Sequence, residues 1–226
     1  MDLGLRLQAI EPNVNFLMSL YLHESVTPET IIEAKKRGVT GVKSYPAGVT
    51  TNSSSGVVDY TQFYPVFAEM ERQDMVLNLH GEVPSTGDPV AKTPADRDAL
   101  LRTAASGNPK FFFGSDSAPH PAASKRGGDK IAAGVFTQPY TTQVVLDSFE
   151  QACENGILKE EDITPEVVEG FMSKFGRQFY GIGEEQKEFI TLEKKDEKIV
   201  NLLQSDKVDV VPFRRDQQTW SVSWSS

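Results

Sequence analysis

The sequence holds one cysteine, Cys153, and three histidines, His23, His80 and His120, among 226 residues. A single thiol excludes an internal disulfide and every zinc site built from clustered cysteines, which fits a reducing compartment. Cys153 itself reads as a small buried apolar residue on a helix. Glycine-rich phosphate loops are absent, since GVTTNSSSG has neither the Walker lysine nor the G-x-G-x-x-G spacing. No stretch approaches the roughly 18 continuous apolar residues of a membrane span, and the amino terminus lacks the charged and apolar regions of a signal peptide. The expectation is a cytoplasmic protein with no membrane partner. Cations are in deficit: 23 Lys and Arg against 32 Asp and Glu leave a formal net charge of -9. Nucleic acid is therefore not the expected partner, because phosphate backbones require cations clustered on one face. The basic pairs Lys35-Lys36 and Arg214-Arg215 read as solvated surface. A small anionic substrate stays compatible with this charge, because a bound dication reverses the local field.

What is present is an alternation of helices and short apolar runs. Thr27-Pro28-Glu29, Thr93-Pro94-Ala95 and Thr164-Pro165-Glu166 each combine a threonine N-cap with proline at the first helical position. The first two helices should stop at Gly38 and Gly107. Phe63, Val66, Phe67 and Met70 recur at helical spacing, as do Val144, Val145, Phe149 and Ala152, and both stripes read as core. Between the helices lie NFLMSLYL at 15–22, GVKSY at 41–45, MVLNLH at 75–80 and KFFFGSD at 110–116. These predict parallel strands joined by right-handed crossovers, in a β/α barrel or a doubly wound sheet. The three phenylalanines show no period-2 alternation, which predicts a strand buried on both faces. From about Glu184 onward, FITLEKK, VDVVPF and TWSVSW read as strands of an appended tail.

Three of the four expected strands end on a residue with chemical potential: Lys43, His80 and Asp116. Strand ends converge at the carboxyl face of a β/α fold, so the three could meet. A lysine inside an apolar strand is costly unless paired, deprotonated or modified, although one at a strand end can also snorkel to solvent. His80-Gly81-Glu82 matches the H-x-E of zinc deaminases, but a chain with one cysteine cannot supply their P-C-x-x-C. A relay of Ser117, His120 and Asp116 is disfavoured, because no G-x-S-x-G elbow is present and neighbours in one short loop cannot readily form it. The polar loop GVTTNSSSG follows a strand, a usual place for a lid.

Taken in order, GVKSYPAGVTTNSSSGV, LNLHGE and FFFGSDSAPHP resemble the dihydroorotases that occur as separate chains in bacteria and fungi. NPKFFFGSDSAPHP, VVPF and WSVSW look most like the fungal members. The resemblance implies an α/β protein, an incomplete (β/α)8 barrel over residues 1–183 with a β-rich extension over 184–226 packing on it. It implies a zinc-dependent cyclic amide hydrolase of pyrimidine biosynthesis that interconverts dihydroorotate and N-carbamoyl-L-aspartate, with two zinc ions and a homodimer in the family.

By that resemblance Lys43 is the carbamylated lysine that bridges the metals, His80 ligates one zinc, and Asp116 ligates the other and serves as general base and acid. His120, with the backbone near Ala133 and Gly134, meets the substrate carboxylate, and Thr50 and Thr51 belong to the loop that closes over it. Family members also carry an earlier H-x-H-x-R strand, a strand with a substrate asparagine, and a further histidine strand after LHGE. Here the chain starts with MDLGLRLQAI, and HGEVPSTGDPVAKTPADR runs directly into the helix before Asp116. Two readings follow: a dihydroorotase, or a non-catalytic relative that keeps an interaction or dimer surface.

Overall fold

A computed structural model describes residues 2–48, 53–80, 93–126, 131–183 and 188–225. The chain divides into two compact units, Met1–Val90 and Ala91–Ser226. The first unit opens with α1 (Asp2–Ile10), a helix for which the sequence reading had no expectation. It continues β1 (Ser19–Tyr21), α2 (Pro28–Lys36), β2 (Gly41–Ser44), α3 (Tyr64–Arg72) and β3 (Val76–Leu79). The strands form a parallel sheet in the order β1-β2-β3, as the alternation predicts. Tyr21 lies in register with Lys43, and Lys43 with Asn78.

Period-2 geometry then separates two faces of β2. Val42 and Ser44 are fully buried. Val42 joins Leu22, Ile31, Ala34, Phe63, Val66 and Met70 in one core, so the expected Phe and Met stripe of α3 does face inward. Ser44 Oγ is satisfied by the Tyr60 hydroxyl at 3.0 Å. Gly41 has a steric reason: a Cβ there would stand 2.7 Å from the Val76 carbonyl oxygen, so only glycine lets β3 approach this closely.

The helix starts follow from their side chains. Thr27, Thr93 and Thr164 each accept from the backbone N–H three residues on, at 3.3 Å in all three cases, and each is followed by proline. Gly38 and Gly107 end their helices at φ +79° and +67°, the left-handed conformation expected of a C-terminal glycine.

The second unit contains α4 (Pro94–Ala104), α5 (Thr141–Glu154), α6 (Pro165–Glu169), a π-helical turn over Gly170–Lys174, and α7 (Phe175–Tyr180). Its core gathers Phe149, Ala152, Leu158 and Ala105, with Leu101, Val145 and Phe171 against them. The strand expected at 110–116 is not formed. Phe111 is 46% exposed, Phe112 packs against Phe179 at 5.2 Å, and Phe113 packs edge-on against Phe171 at 6.0 Å. The Phe113 N–H donates to the Phe171 carbonyl at 2.9 Å. The physical reason is the absence of a ladder: among the described residues of this unit no parallel strand offers an edge, so the apolar run packs on the Gly170–Tyr180 helical segment instead.

The tail supplies β4 (Phe189–Lys198) and β5 (Gln218–Ser225), paired antiparallel with a register shift between Glu193 and Glu197. VDVVPF, expected as a strand, makes only isolated bridges, through Val210 to Leu203 and Pro121 and through Pro212 to Phe136. Lys194 ties β4 to α5 through Glu150 at 2.6 Å, and Arg214 reaches Asp147 at 3.1 Å. Arg214 is therefore an anchored side chain, not the solvated surface residue that its sequence suggests.

Two outcomes follow for stability. Phe149 is 2% exposed, and Phe149→Ala should cost about 3–5 kcal/mol in denaturant unfolding. Glu69 accepts from Arg72 at 2.9 Å through both oxygens and from Gln73 at 2.8 Å. These bonds, Arg72 first, hold its carboxyl below the usual carboxylate range. A depressed folded pKa stabilises above the unfolded pKa, and that contribution disappears as pH falls through the folded value. Glu69→Gln should thus lower stability at neutral pH and flatten the acid side of a stability-against-pH curve.

Candidate active site

At the carboxyl end of the first unit's sheet, one aromatic ring organises two of the expected residues. Lys43, in register between Tyr21 and Asn78, lies on the face of β2 opposite Val42 and Ser44 and is half-buried. Its Nζ stands 4.8 Å from the centroid of Tyr45, a cation–π contact. His80 follows β3 directly; its N–H donates to the Ser44 carbonyl at 2.9 Å, which carries the ladder one residue further. Its ring lies 5.2 Å from Tyr45, and Tyr21 stacks on Tyr45 at 5.7 Å. The sequence reading missed both tyrosines. The signal was available: positions 43 and 45 of a strand share a face, and a register with β1 brings a third side chain beside them.

Tyr21 carries a second mark of a polar site. Its hydroxyl is buried and has no hydrogen-bond partner among the described residues, a rare state for a native buried group. His23 is partly buried: it meets Tyr21 edge-on at 6.3 Å, and its Nδ1 accepts from the Ser25 N–H at 3.1 Å. The stem of the GVTTNSSSG loop is fixed by Val57 N–H donating to the Tyr45 carbonyl at 2.8 Å and Ala47 N–H donating to the Val57 carbonyl at 3.0 Å. Thr50 and Thr51 lie outside the described residues.

Asp116, His120, Ala133 and Gly134 belong to the second unit. Asp116 is exposed and adopts φ +43°, a left-handed conformation uncommon for a residue with a side chain. Its neighbours hold it there. Thr137 Oγ1 donates to the Ser115 carbonyl at 3.2 Å, the Gln138 N–H to Ser117 Oγ at 3.1 Å, and the Ala118 N–H to the Val135 carbonyl at 2.9 Å. Four residues beyond Asp116, His120 packs on Gly134 so closely that a Cβ at Gly134 would stand 2.9 Å from His120 Nε2 and 2.5 Å from Ala118 Cβ. Lys125 Nζ donates to the carbonyls of Ala132 at 2.6 Å and Gly134 at 2.7 Å, which fixes this turn from its carbonyl side. The N–H groups of Ala133 and Gly134 donate no hydrogen bond among the described residues and stay available to an acceptor.

Imidazole, carboxylate and a carbamylated lysine are donors a catalytic zinc accepts, so the residue types fit a metal. In number they do not: among the described residues no three His, Cys, Asp or Glu side chains gather as a metal-holding group. Cys153 offers no alternative nucleophile, since burial first, and then the nearby acids Glu160, Asp162 and Glu150, push its thiol up. Among the described residues no helix is long and apolar enough to cross a membrane.

Gly134→Ala tests the coupling between this turn and His120. Overpacking of this kind costs typically about 1–3 kcal/mol. The expected outcome is a lowered unfolding midpoint together with a displaced Nε2 resonance of His120 in a nitrogen-15 spectrum, with His23 unmoved.

No protein-family model matches the chain. It is similar to a probable dihydroorotase of Schizosaccharomyces pombe, 35% identical over 291 aligned positions that take in 96% of this chain and 82% of the relative. It is 30% identical to the dihydroorotase of Saccharomyces cerevisiae over 96% of this chain and 83% of the relative. Among solved structures, that of Saccharomyces cerevisiae dihydroorotase in complex with 5-fluoroorotic acid superposes with a TM-score of 0.85 at 29% identity, covering 99% of this chain and 84% of the other. The dihydroorotase of Campylobacter jejuni, at 22% identity and a TM-score of 0.76, shares the fold.

Proposed function

The chain belongs to the dihydroorotase family, an incomplete α/β barrel of the amidohydrolase kind, hydrolases acting on a cyclic amide bond; from that premise we propose that it interconverts dihydroorotate and N-carbamoyl-L-aspartate in pyrimidine biosynthesis. The observation that carries the reading is the meeting of Lys43 and His80 at the Tyr45 ring. Two residues from separate strands, 37 positions apart in number, converge on the carboxyl end of a parallel sheet, where β/α enzymes place their chemistry.

By the resemblance Lys43, as a carbamate, and His80 would be zinc ligands of the first unit and Asp116 a zinc ligand of the second. A zinc bound by residues of these types would supply Lewis acidity toward the amide carbonyl and a more acidic bound water. Asp116 takes the proton from the attacking water and returns it to the ring nitrogen as the amide bond opens. Its exposed position, with a backbone conformation held by the Ser115 and Ser117 contacts, suits a group that must meet substrate. His120 and the free N–H groups of Ala133 and Gly134 hold the substrate carboxylate: two backbone donors and an imidazole suit a planar anion better than a neutral group. By the resemblance Thr50 and Thr51 also belong to the residues that meet the substrate. The proposal extends to a homodimer, as the resemblance implies, and to the cytoplasm, which the single cysteine and the lack of a long apolar run favour.

Hydrolysis of dihydroorotate by the purified chain, with zinc supplied, tests this directly. Turnover should fall about 10²–10⁴-fold in Asp116→Asn, the range of general acid–base contributions. Lys43→Ala should lose both turnover and bound zinc by elemental analysis. Turnover that is absent from the parent chain, or equal in the parent and both variants, would overturn the reading in favour of a non-catalytic relative.

A further inference from the structure

A cleft of about 580 Å³ in the second unit is lined by α4, α5 and the run Phe111–Phe113. Its innermost wall is the unit's own core, Phe149 at 2% exposure with Leu101, Val145 and Phe171 packed against it. Its outer wall is apolar as well, since Leu100 and Phe111 are 55% and 46% exposed. The unformed strand is the cause. Phe112 and Phe113 pack on the Gly170–Tyr180 segment, and Phe111 is left without such a partner, at the cleft.

The hydroxyls of the walls are already spent. Thr103 Oγ1 donates to the Ala99 carbonyl at 2.8 Å and Ser148 Oγ to the Val144 carbonyl at 2.7 Å, each within its own helix. At Gly114, which also lines the cleft, an added Cβ would meet nothing within 4 Å, so the cleft is open on that side. The walls thus offer apolar area and no unmet polar demand.

Charge enters at one place. The described lining holds Arg97 and Lys110 and no carboxylate, in a chain whose formal net charge is -9. Arg97 is engaged by Asp98 at 3.1 Å. Lys110 is exposed, and its ammonium makes no hydrogen bond or ion pair among the described residues. Its backbone is nonetheless fixed: the Lys110 N–H donates to Asn108 Oδ1 at 3.0 Å, and the Phe111 N–H to the Asn108 carbonyl at 3.0 Å. Lys110 and Phe111 are consecutive, so an unspent cation and an apolar wall are joined in one short, pinned segment. A ligand that uses both needs no second cation.

We propose that this cleft binds an amphipathic monocarboxylate, its apolar body on Phe111, Leu100 and the Phe149 wall and its carboxylate on Lys110. Burial of the body supplies the affinity, and Lys110 selects the sign of the head. The volume lies in the range of roughly 300–1,000 Å³ usual for small-molecule sites. The inference goes beyond the hydrolase reading. None of these residues is assigned there to metal or substrate, and the cleft does not require that the chain turn dihydroorotate over.

Titration calorimetry of the full chain with octanoate, below the concentration at which it forms micelles, tests it, with acetate and octylammonium as comparisons. Octanoate should bind at one site per chain and at least about tenfold more tightly than acetate, a factor that two buried methylenes already provide. Octylammonium carries the same body with the opposite charge and should bind more weakly than octanoate, although the chain as a whole is anionic. Lys110→Gln should lower the affinity for octanoate about three- to tenfold and abolish that preference, while Lys110→Arg should keep it. Phe111→Ala should weaken both ligands. Both side chains are exposed, and an unfolding midpoint shared with the parent identifies any loss as one of binding. Absence of saturable octanoate binding, octylammonium binding as tight as octanoate, or equal octanoate affinity in the parent and in Lys110→Gln would overturn the proposal. Self-association that Phe111→Ala abolishes, in a chain that does not bind octanoate, would overturn it in favour of a contact between copies. Hydrolysis measured on the same proteins keeps the two readings apart. Lys110-dependent octanoate binding without turnover leaves this inference standing alone, and turnover without octanoate binding leaves only the hydrolase reading.

Discussion

The parallel register of β2 between its two neighbours is the constraint on which the first unit depends. It assigns every side chain of the strand to a face, and a slip of one residue would exchange them. Val42 and Ser44 go into the core against α2 and α3, and Lys43 goes to the other side beside Tyr21. A charged lysine tolerates that position because Tyr45 offers a ring face to its ammonium. The same ring receives His80, so one aromatic side chain sets the separation of two groups with different strands behind them. If Lys43 becomes an anionic carbamate, the attraction to the ring face is lost and the group is released toward a cationic partner. The aromatic contact therefore favours the unmodified lysine, and modification has to be supported by what the carbamate binds.

In the second unit the organising element is the tail. The run Phe111–Phe113 has no ladder to join, and its packing on Phe171 and Phe179 leaves the following loop to be positioned by other means. The tail does this through Asp209 to Ala122 and Phe136 to Phe213, on either side of the loop that carries His120. Its own position follows from α5, through Asp147 to Arg214 and Glu150 to Lys194. Burial raises the Asp147 carboxyl, and Arg214 opposes that effect. The pair is thus held by geometry against a desolvation cost, the usual condition of a partly buried ion pair.

Where local chemistry decided the outcome, the sequence was enough. The threonine–proline helix starts, the glycine stops and the inward Phe and Met stripe of α3 are all set within a few residues, and all are found. Lys43 was legible as unusual because a lysine inside an apolar strand costs desolvation unless it is paired, deprotonated or modified. The failures are of another kind. A triple phenylalanine looks the same whether it meets a sheet or a helix, because only the presence of a partner edge distinguishes the two. Tyr45 could be read from the strand face it shares with Lys43, whereas Tyr21 was invisible as a site residue because its place there depends on the register between strands, which no single strand states. Arg214 and Arg215, adjacent and chemically alike, take opposite fates because the left-handed residues Arg214 and Asp216 of their turn send one to Asp147 and leave the other exposed.

The alignment with the fission yeast relative runs over 291 positions, more than the 226 residues this chain has, so the relative carries residues for which this chain has no counterpart. A shortened β/α chain has a definite physical consequence. Parallel strands are ordinarily covered on both faces and paired on both edges, because their apolar runs are not suited to water. Among the described residues β3 pairs with β2 alone, and its Leu77 and Leu79 are 41% and 57% exposed. Those leucines lie on the face of β3 that Val42 and Ser44 occupy on β2, the face that elsewhere in the sheet is buried. His80 is the residue that follows directly, so the strand whose apolar face is least covered is also the one that delivers a candidate ligand. The backbone bond to Ser44 and the Tyr45 ring contribute to its order. The stack that gathers Lys43 and His80 therefore also stabilises an edge strand, which ties the geometry of the site to the integrity of the sheet that carries it.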